Sequence, residues 1–160
     1  MKSIQAFLKI TAILLFITSC DKKKEEFSLN EPSMPYQELK ELALTKADTN
    51  AYHEMSIAYM DSPNDDRFLY TALLMANKHN YHLAYEDVYY VLTDYYHKKE
   101  STELEDLDEK TRTMALDYLK AGAEKGNKEC KRILGRLYIE GQYVEKNEEL
   151  GNRLKQEAEE

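Results

Sequence analysis

Ala115-Leu116-Asp117-Tyr118-Leu119-Lys120-Ala121-Gly122-Ala123-Glu124-Lys125-Gly126-Asn127, followed by Leu134-Gly135-Arg136-Leu137-Tyr138-Ile139-Glu140-Gly141-Gln142-Tyr143-Val144-Glu145-Lys146-Asn147, decides the fold. From Thr111 apolar residues return at spacings of three and four, in Met114, Ala115, Tyr118, Leu119 and Ala123, which is the helical period. Gly126-Asn127 ends that run. A second helix carries Cys130, Ile133, Leu134, Leu137 and Tyr138 and is broken by Gly141. A last helix is expected from about Asn147, with Leu150 and Leu154 turned inward.

The same rhythm extends toward the N-terminus, with almost no strand signal after Tyr36. A helix over about 36–45 carries Leu39, Leu42 and Ala43. The next starts after Asp48-Thr49-Asn50, residues suited to helix capping, and places Ala51, Met55, Ala58 and Tyr59 on one face. Asp61 to Asp66 reads as a turn. A third helix holds Phe68, Leu69, Ala72, Leu73 and Ala76 and ends near His79-Asn80, and a tyrosine-rich fourth spans about 82–97. Residues 98–108 are charged and are expected as an exposed connection. Ala51, Met55, Ala58 and Tyr59 align with Cys130, Leu134, Leu137 and Tyr138 at an offset of 79, and Ala76…Asn80 aligns with Ala123…Asn127 at 47. Such periods suit helical hairpins that bury their apolar faces only by stacking on neighbours.

Over residues 113–154 the chain resembles the Sel-one-like repeat, a variant of the tetratricopeptide hairpin. Tyr118, Gly126, Leu134, Gly135, Tyr138, Gly141 and Val144 fit that pattern, whereas residues 48–97 lack its loop glycine and Cys130 and Gly151 stand where alanine is usual. The resemblance implies an all-α fold: a short right-handed solenoid of about three hairpins over 36–160, with protein binding as its activity.

The first twenty residues carry a different kind of signal. Lys2 and Lys9 precede an apolar run, and Ile17-Thr18-Ser19-Cys20 resembles a lipobox. Residues 1–19 therefore read as a cleaved signal and Cys20 as the residue carrying the lipid (palmitate among its acyl chains). The competing reading is an uncleaved anchor. Residues 20–35 are expected as a flexible tether. Its charged start, Asp21-Lys22-Lys23-Lys24-Glu25-Glu26, resembles surface-export signals of Bacteroidetes-type lipoproteins, while an aspartate after the cysteine resembles an inner-membrane retention signal, so the leaflet stays open. The expected location is the cell envelope, on its periplasmic or cell-surface side.

The leader holds two lysines and no acid, so the mature chain carries 20 basic against 30 acidic residues, a net charge near −10. A surface of that sign repels nucleic acid and favours a basic protein partner, while membrane attachment falls to the lipid on Cys20. With Cys20 acylated, Cys130 has no disulfide partner and is expected in the core. His79, His82 and Glu86 straddle a predicted turn and are not read as a metal site. Asp61, Asp65 and Asp66 lack the glycine and final glutamate of a calcium loop. No phosphate loop or nucleophile elbow occurs. No cofactor is expected and no enzymatic activity.

Thirteen tyrosines and no tryptophan are the one compositional excess. About half are expected in the core. Tyr81, Tyr85, Tyr89 and Tyr96 are the candidate partner-binding residues, with Tyr85, Tyr89 and Tyr96 projecting from a concave face, because tyrosine suits binding hot spots. The expected function is a non-enzymatic scaffold or adaptor. The alternatives are an immunity protein against a secreted antibacterial toxin and an accessory or hydrolytic envelope enzyme.

Overall fold

Short polar side chains satisfy the free N–H groups at four helix starts, and the backbone turns left-handed at five helix ends. The computed structural model describes residues 31–61, 67–96 and 104–160. Among them are seven α-helices and no strand: α1 (Tyr36–Lys46), α2 (Thr49–Asp61), α3 (Arg67–His79), α4 (His82–Leu92), α5 (Glu109–Glu124), α6 (Lys128–Glu140) and α7 (Glu148–Glu159). A 3-10 turn spans Leu104–Asp106. Cys20, the leader, Asp65, Asp66 and His97 lie outside the described residues.

Four helix starts are capped by side chains. Asp48 Oδ1 accepts from the N–H groups of Asn50 and Ala51, both at 3.0 Å. Asp108 accepts from Lys110 and Thr111, Asn127 from Cys130 at 2.7 Å and Asn147 from Leu150 at 2.9 Å. Each such cap is worth about 1 kcal/mol. At five helix ends one residue takes positive φ: Ala47 (54°), Asn80 (53°), Asp94 (56°), Gly126 (85°) and Gly141 (69°). The next N–H after each returns to a carbonyl of the closing helix, at Leu42, Met75, Tyr90, Gly122 and Leu137 respectively. This is the chemistry of left-handed helix caps, and only two of the five use glycine.

Consecutive helices pack on one another, most extensively α6 with α7, then α4 with α5 and α3 with α4; α1 also touches α3, and α4 touches α6. Every pair in substantial contact lies at most two helices apart in the chain. The central helix is α4. It buries Ala84, Tyr85, Asp87, Val88, Tyr89 and Tyr90, nearly its whole circumference, as an element packed on several sides must.

Two kinds of core result. Around α2–α4 the core is aromatic: the Phe68 ring stacks on Tyr52 (centroids 5.6 Å apart) and Tyr59 (4.9 Å), and Tyr81 meets Tyr52 edge-on at 5.5 Å. Around α5–α7 it is aliphatic, with Leu116, Leu119, Ile133, Leu134 and Leu137 buried, and glycines stand where the helices come closest. A Cβ at Gly122 would lie 2.5 Å from the Cys130 Sγ and 2.8 Å from the Tyr85 Cβ. A Cβ at Gly151 would lie 2.6 Å from the Gly135 carbonyl oxygen, and one at Gly135 would lie 2.8 Å from that of Gly151. Glycine at both positions lets α6 and α7 touch backbone to backbone.

Several expectations are corrected. The fourth helix ends at Leu92 rather than near 97, because Asp94 turns left-handed and Tyr95 N–H returns to Tyr90 O. Ser33 and Met34, expected within a tether, touch the helices: Ser33 donates from its N–H and hydroxyl to Glu54 at 2.8 and 3.0 Å, and Met34 packs on the core. The connection before α5 is not wholly exposed. Leu104 is buried, and Arg112 donates to its carbonyl at 2.7 Å and to that of Leu107 at 2.6 Å. The offset of 47 becomes 46, since Asn80 matches Gly126 as the left-handed residue and Tyr81 precedes α4 as Asn127 precedes α6. Leu150 and Leu154 are only half-buried, and Gly151 is the residue of α7 that reaches the core.

Candidate functional site

The helix ends around α4, α6 and α7 frame a cleft of about 580 Å³, whose lining includes His82, Glu86, Lys128, Glu129, Arg132 and Lys155. Its floor is built by Asn127, which is 1% exposed. One side-chain oxygen caps α6, while the amide nitrogen donates to the carbonyl of His82 at 3.1 Å and to Glu86 Oε2 at 2.6 Å. A single residue thus joins the start of α4 to the start of α6. Burial raises the Glu86 carboxyl above the usual range, and the Asn127 hydrogen bond partly offsets it. Across the cleft Arg132 donates to Glu129 from two nitrogens, Nε at 2.7 Å, and Tyr90 donates its hydroxyl to the same carboxylate. Arg132 holds Glu129 below the usual carboxylate range.

On α5–α7 two adjoining hollows of about 460 and 430 Å³ share Lys120, Tyr138 and Leu150. Leu134, Leu150 and Leu154 supply apolar lining, while Lys131 donates to Glu157 at 2.7 Å between α6 and α7.

The tyrosines expected on an open face are placed otherwise. Tyr85 is 6% exposed and donates its hydroxyl to Ala76 O at 3.0 Å; Tyr89 is 3% exposed. Both are core residues, since they lie on the buried sides of α4, whose open side carries His82 and Glu86. Tyr81 and Tyr96 are half-buried, Tyr81 against Tyr52 and Tyr96 against Tyr59 and Tyr90. Among the described residues the large hydrophobic side chains that do reach solvent are Tyr70 (56%), Tyr95 (43%), Met60 (42%) and Tyr143 (40%). Tyr95 is exposed because the left-handed Asp94 swings the chain off the helix, and no glycine marks that place. Lys40 covers the Tyr70 ring at 5.4 Å and Arg112 the Tyr143 ring at 5.3 Å, contacts that also solvate the exposed rings.

The repeat-motif residues hold structural positions. Gly126 and Gly141 are left-handed caps, Leu134 and Gly135 are buried, and Tyr118, Tyr138 and Val144 are half-buried. The Tyr118 hydroxyl accepts from the Asn77 amide, which ties α5 to α3.

The remaining reactive groups are engaged in packing. Cys130 is fully buried against Gly122, and burial pushes its thiol well above the ordinary value, so little thiolate forms. His79 Nε2 lies 3.0 Å from Leu44 O, away from His82 and Glu86. Among the described residues no three of His, Cys, Asp and Glu gather as a metal would require, and no helix is long and apolar enough to cross a membrane. No family model, curated protein or solved structure matches the chain.

Proposed function

We propose that the chain is a non-enzymatic protein-binding module, a short right-handed solenoid of about three helical hairpins of Sel-one-like or tetratricopeptide-like kind, presented at the cell envelope by a lipid on Cys20. The observation that carries this reading is the contact order: each helix leans on its chain neighbours and next neighbours. Stacks of that kind gain stability locally and leave long surfaces free for partners. The paired caps support the hairpin reading, since Asp48 and Asn127 stand 79 residues apart and each accepts from the N–H three residues on. The larger hollow along α5–α7 sets Leu134, Leu150 and Leu154 among charged side chains. Excess acid over base favours a basic partner and speeds encounter with it.

Affinity capture with residues 21–160, against envelope extract and secreted protein of the source organism, tests the reading. One stoichiometric protein partner is the expected result, and recovery of no protein at any salt concentration would contradict it. Metabolic labelling with a palmitate analogue tests the anchor: label should enter the native chain and be lost in Cys20→Ala, and equal labelling of both would exclude a lipid on that cysteine.

A further inference from the structure

The Asp87 carboxyl lies inside the aromatic core, 5% exposed. It stands on α4, yet both its oxygens are met by α2: Tyr52 donates its hydroxyl to Oδ2 at 2.7 Å, and the Ser56 hydroxyl lies 3.2 Å from Oδ1. These are hydrogen bonds between elements that otherwise share little direct packing. Phe68 of α3 stacks over Tyr52 from the other side and closes the site. The titratable groups acting on the carboxyl, or acted on by it, are Tyr52 from α2, Tyr81 and Glu86 at and on α4, Tyr96 just after α4 and Cys130 from α6. All are acids. Among the described residues none supplies the positive charge that a buried carboxylate needs.

We propose that Asp87 is a proton-operated latch between α2 and α4: neutral, it fastens the N-terminal helices to the central helix, and ionised, it releases them. In the neutral form Oδ2 accepts from Tyr52, and the proton on Oδ1 is donated to the Ser56 oxygen. The proton lost on ionisation passes to water. The carboxylate then keeps two hydroxyl donors but no counter-charge, in a site closed to solvent, beside Glu86. Separating α2 from α4 returns it to water and uncovers Tyr52, Met55 and Tyr59, the apolar face of α2.

Burial lifts the Asp87 carboxyl from its ordinary 3.8 to about 7, with the Tyr52 hydrogen bond acting in the opposite direction. The folded state therefore keeps a proton that the released state gives up between those values. Latching is strongest below about pH 4 and weakens as pH rises through about 7. Acidification tightens the molecule and mild alkalinity opens it.

The test is a pH series from 5 to 8 on the full chain in detergent, read by thermal unfolding and by the near-ultraviolet circular dichroism of the tyrosines. The release equilibrium should grow by about tenfold per pH unit between 5 and 7, and the tyrosine signal should fade while the helical signal persists. Asp87→Asn should flatten both responses, whereas Glu86→Gln should leave most of them. Tyr52→Phe removes a donor to the carboxylate, so its response should extend to higher pH. An Asp87→Asn chain with the native pH response would overturn the proposal. If that variant does not fold, an unmoved profile in Tyr52→Phe would overturn it equally.

Discussion

The aromatic core of α2–α4 and the glycine-lined contacts of α5–α7 solve one problem in two ways. Around Phe68, side chains of large area fill the space between helices, and the hydroxyls of Tyr52 on α2 and Tyr85 on α4 are tied into hydrogen bonds. Around Gly135 and Gly151, helices meet backbone to backbone and there is no space for a side chain. Close contact allows one residue type at a given place, which is why glycine stands at 122, 135 and 151.

The sharpest way to break this comparison is Phe68→Ala. Phe68 is 1% exposed and touches the rings of Tyr52 and Tyr59; its loss should cost about 3–5 kcal/mol in urea unfolding. A cost below about 1 kcal/mol would mean that the aromatic core is loosely held. Next comes Gly151→Ala, where one added methyl meets the Gly135 carbonyl and the Ile139 side chain at 2.6 Å. Overpacking of that kind should cost about 1–3 kcal/mol in the same unfolding measurement. Asn127→Ala removes a cap and two donated hydrogen bonds at the joint of the two regions, for about 1–2 kcal/mol.

The smallest effect is one of sign. Gly126→Ala should destabilise by about 1 kcal/mol, while Ala47→Gly, at the same left-handed geometry, should be neutral or stabilising, since an L side chain there costs about 1–2 kcal/mol. Thermal melts of both variants check this, and a loss from both would show that Ala47 is not strained.

Helix positions are legible in the sequence because caps and periodicity agree: Asp48, Asp108, Asn127 and Asn147 start helices where their short polar side chains stand, and Gly126 and Gly141 close two of them. Three left-handed turns are hidden because Ala47, Asn80 and Asp94 carry no glycine signal, and the end of α4 is misread for that reason. Tyr85 and Tyr89 are misplaced by sequence because apolar and aromatic residues cover most of α4, so four-residue spacing alone does not say which face meets solvent. The fixed stretch before α5 depends on Arg112 reaching back to the carbonyls of Leu104 and Leu107, contacts that no local pattern announces. The latch at Asp87 joins residues 31 and 35 positions apart, and only the folded chain brings them together.

Native-state hydrogen exchange on Gly151→Ala, compared with the native chain, tests most directly whether these helices form a stack that depends on near neighbours. Such a stack should lose protection in α6 and α7, lose less in α5, and keep it unchanged in α1–α3. Equal loss in all seven helices would show one indivisible core and contradict the solenoid on which the proposed function rests.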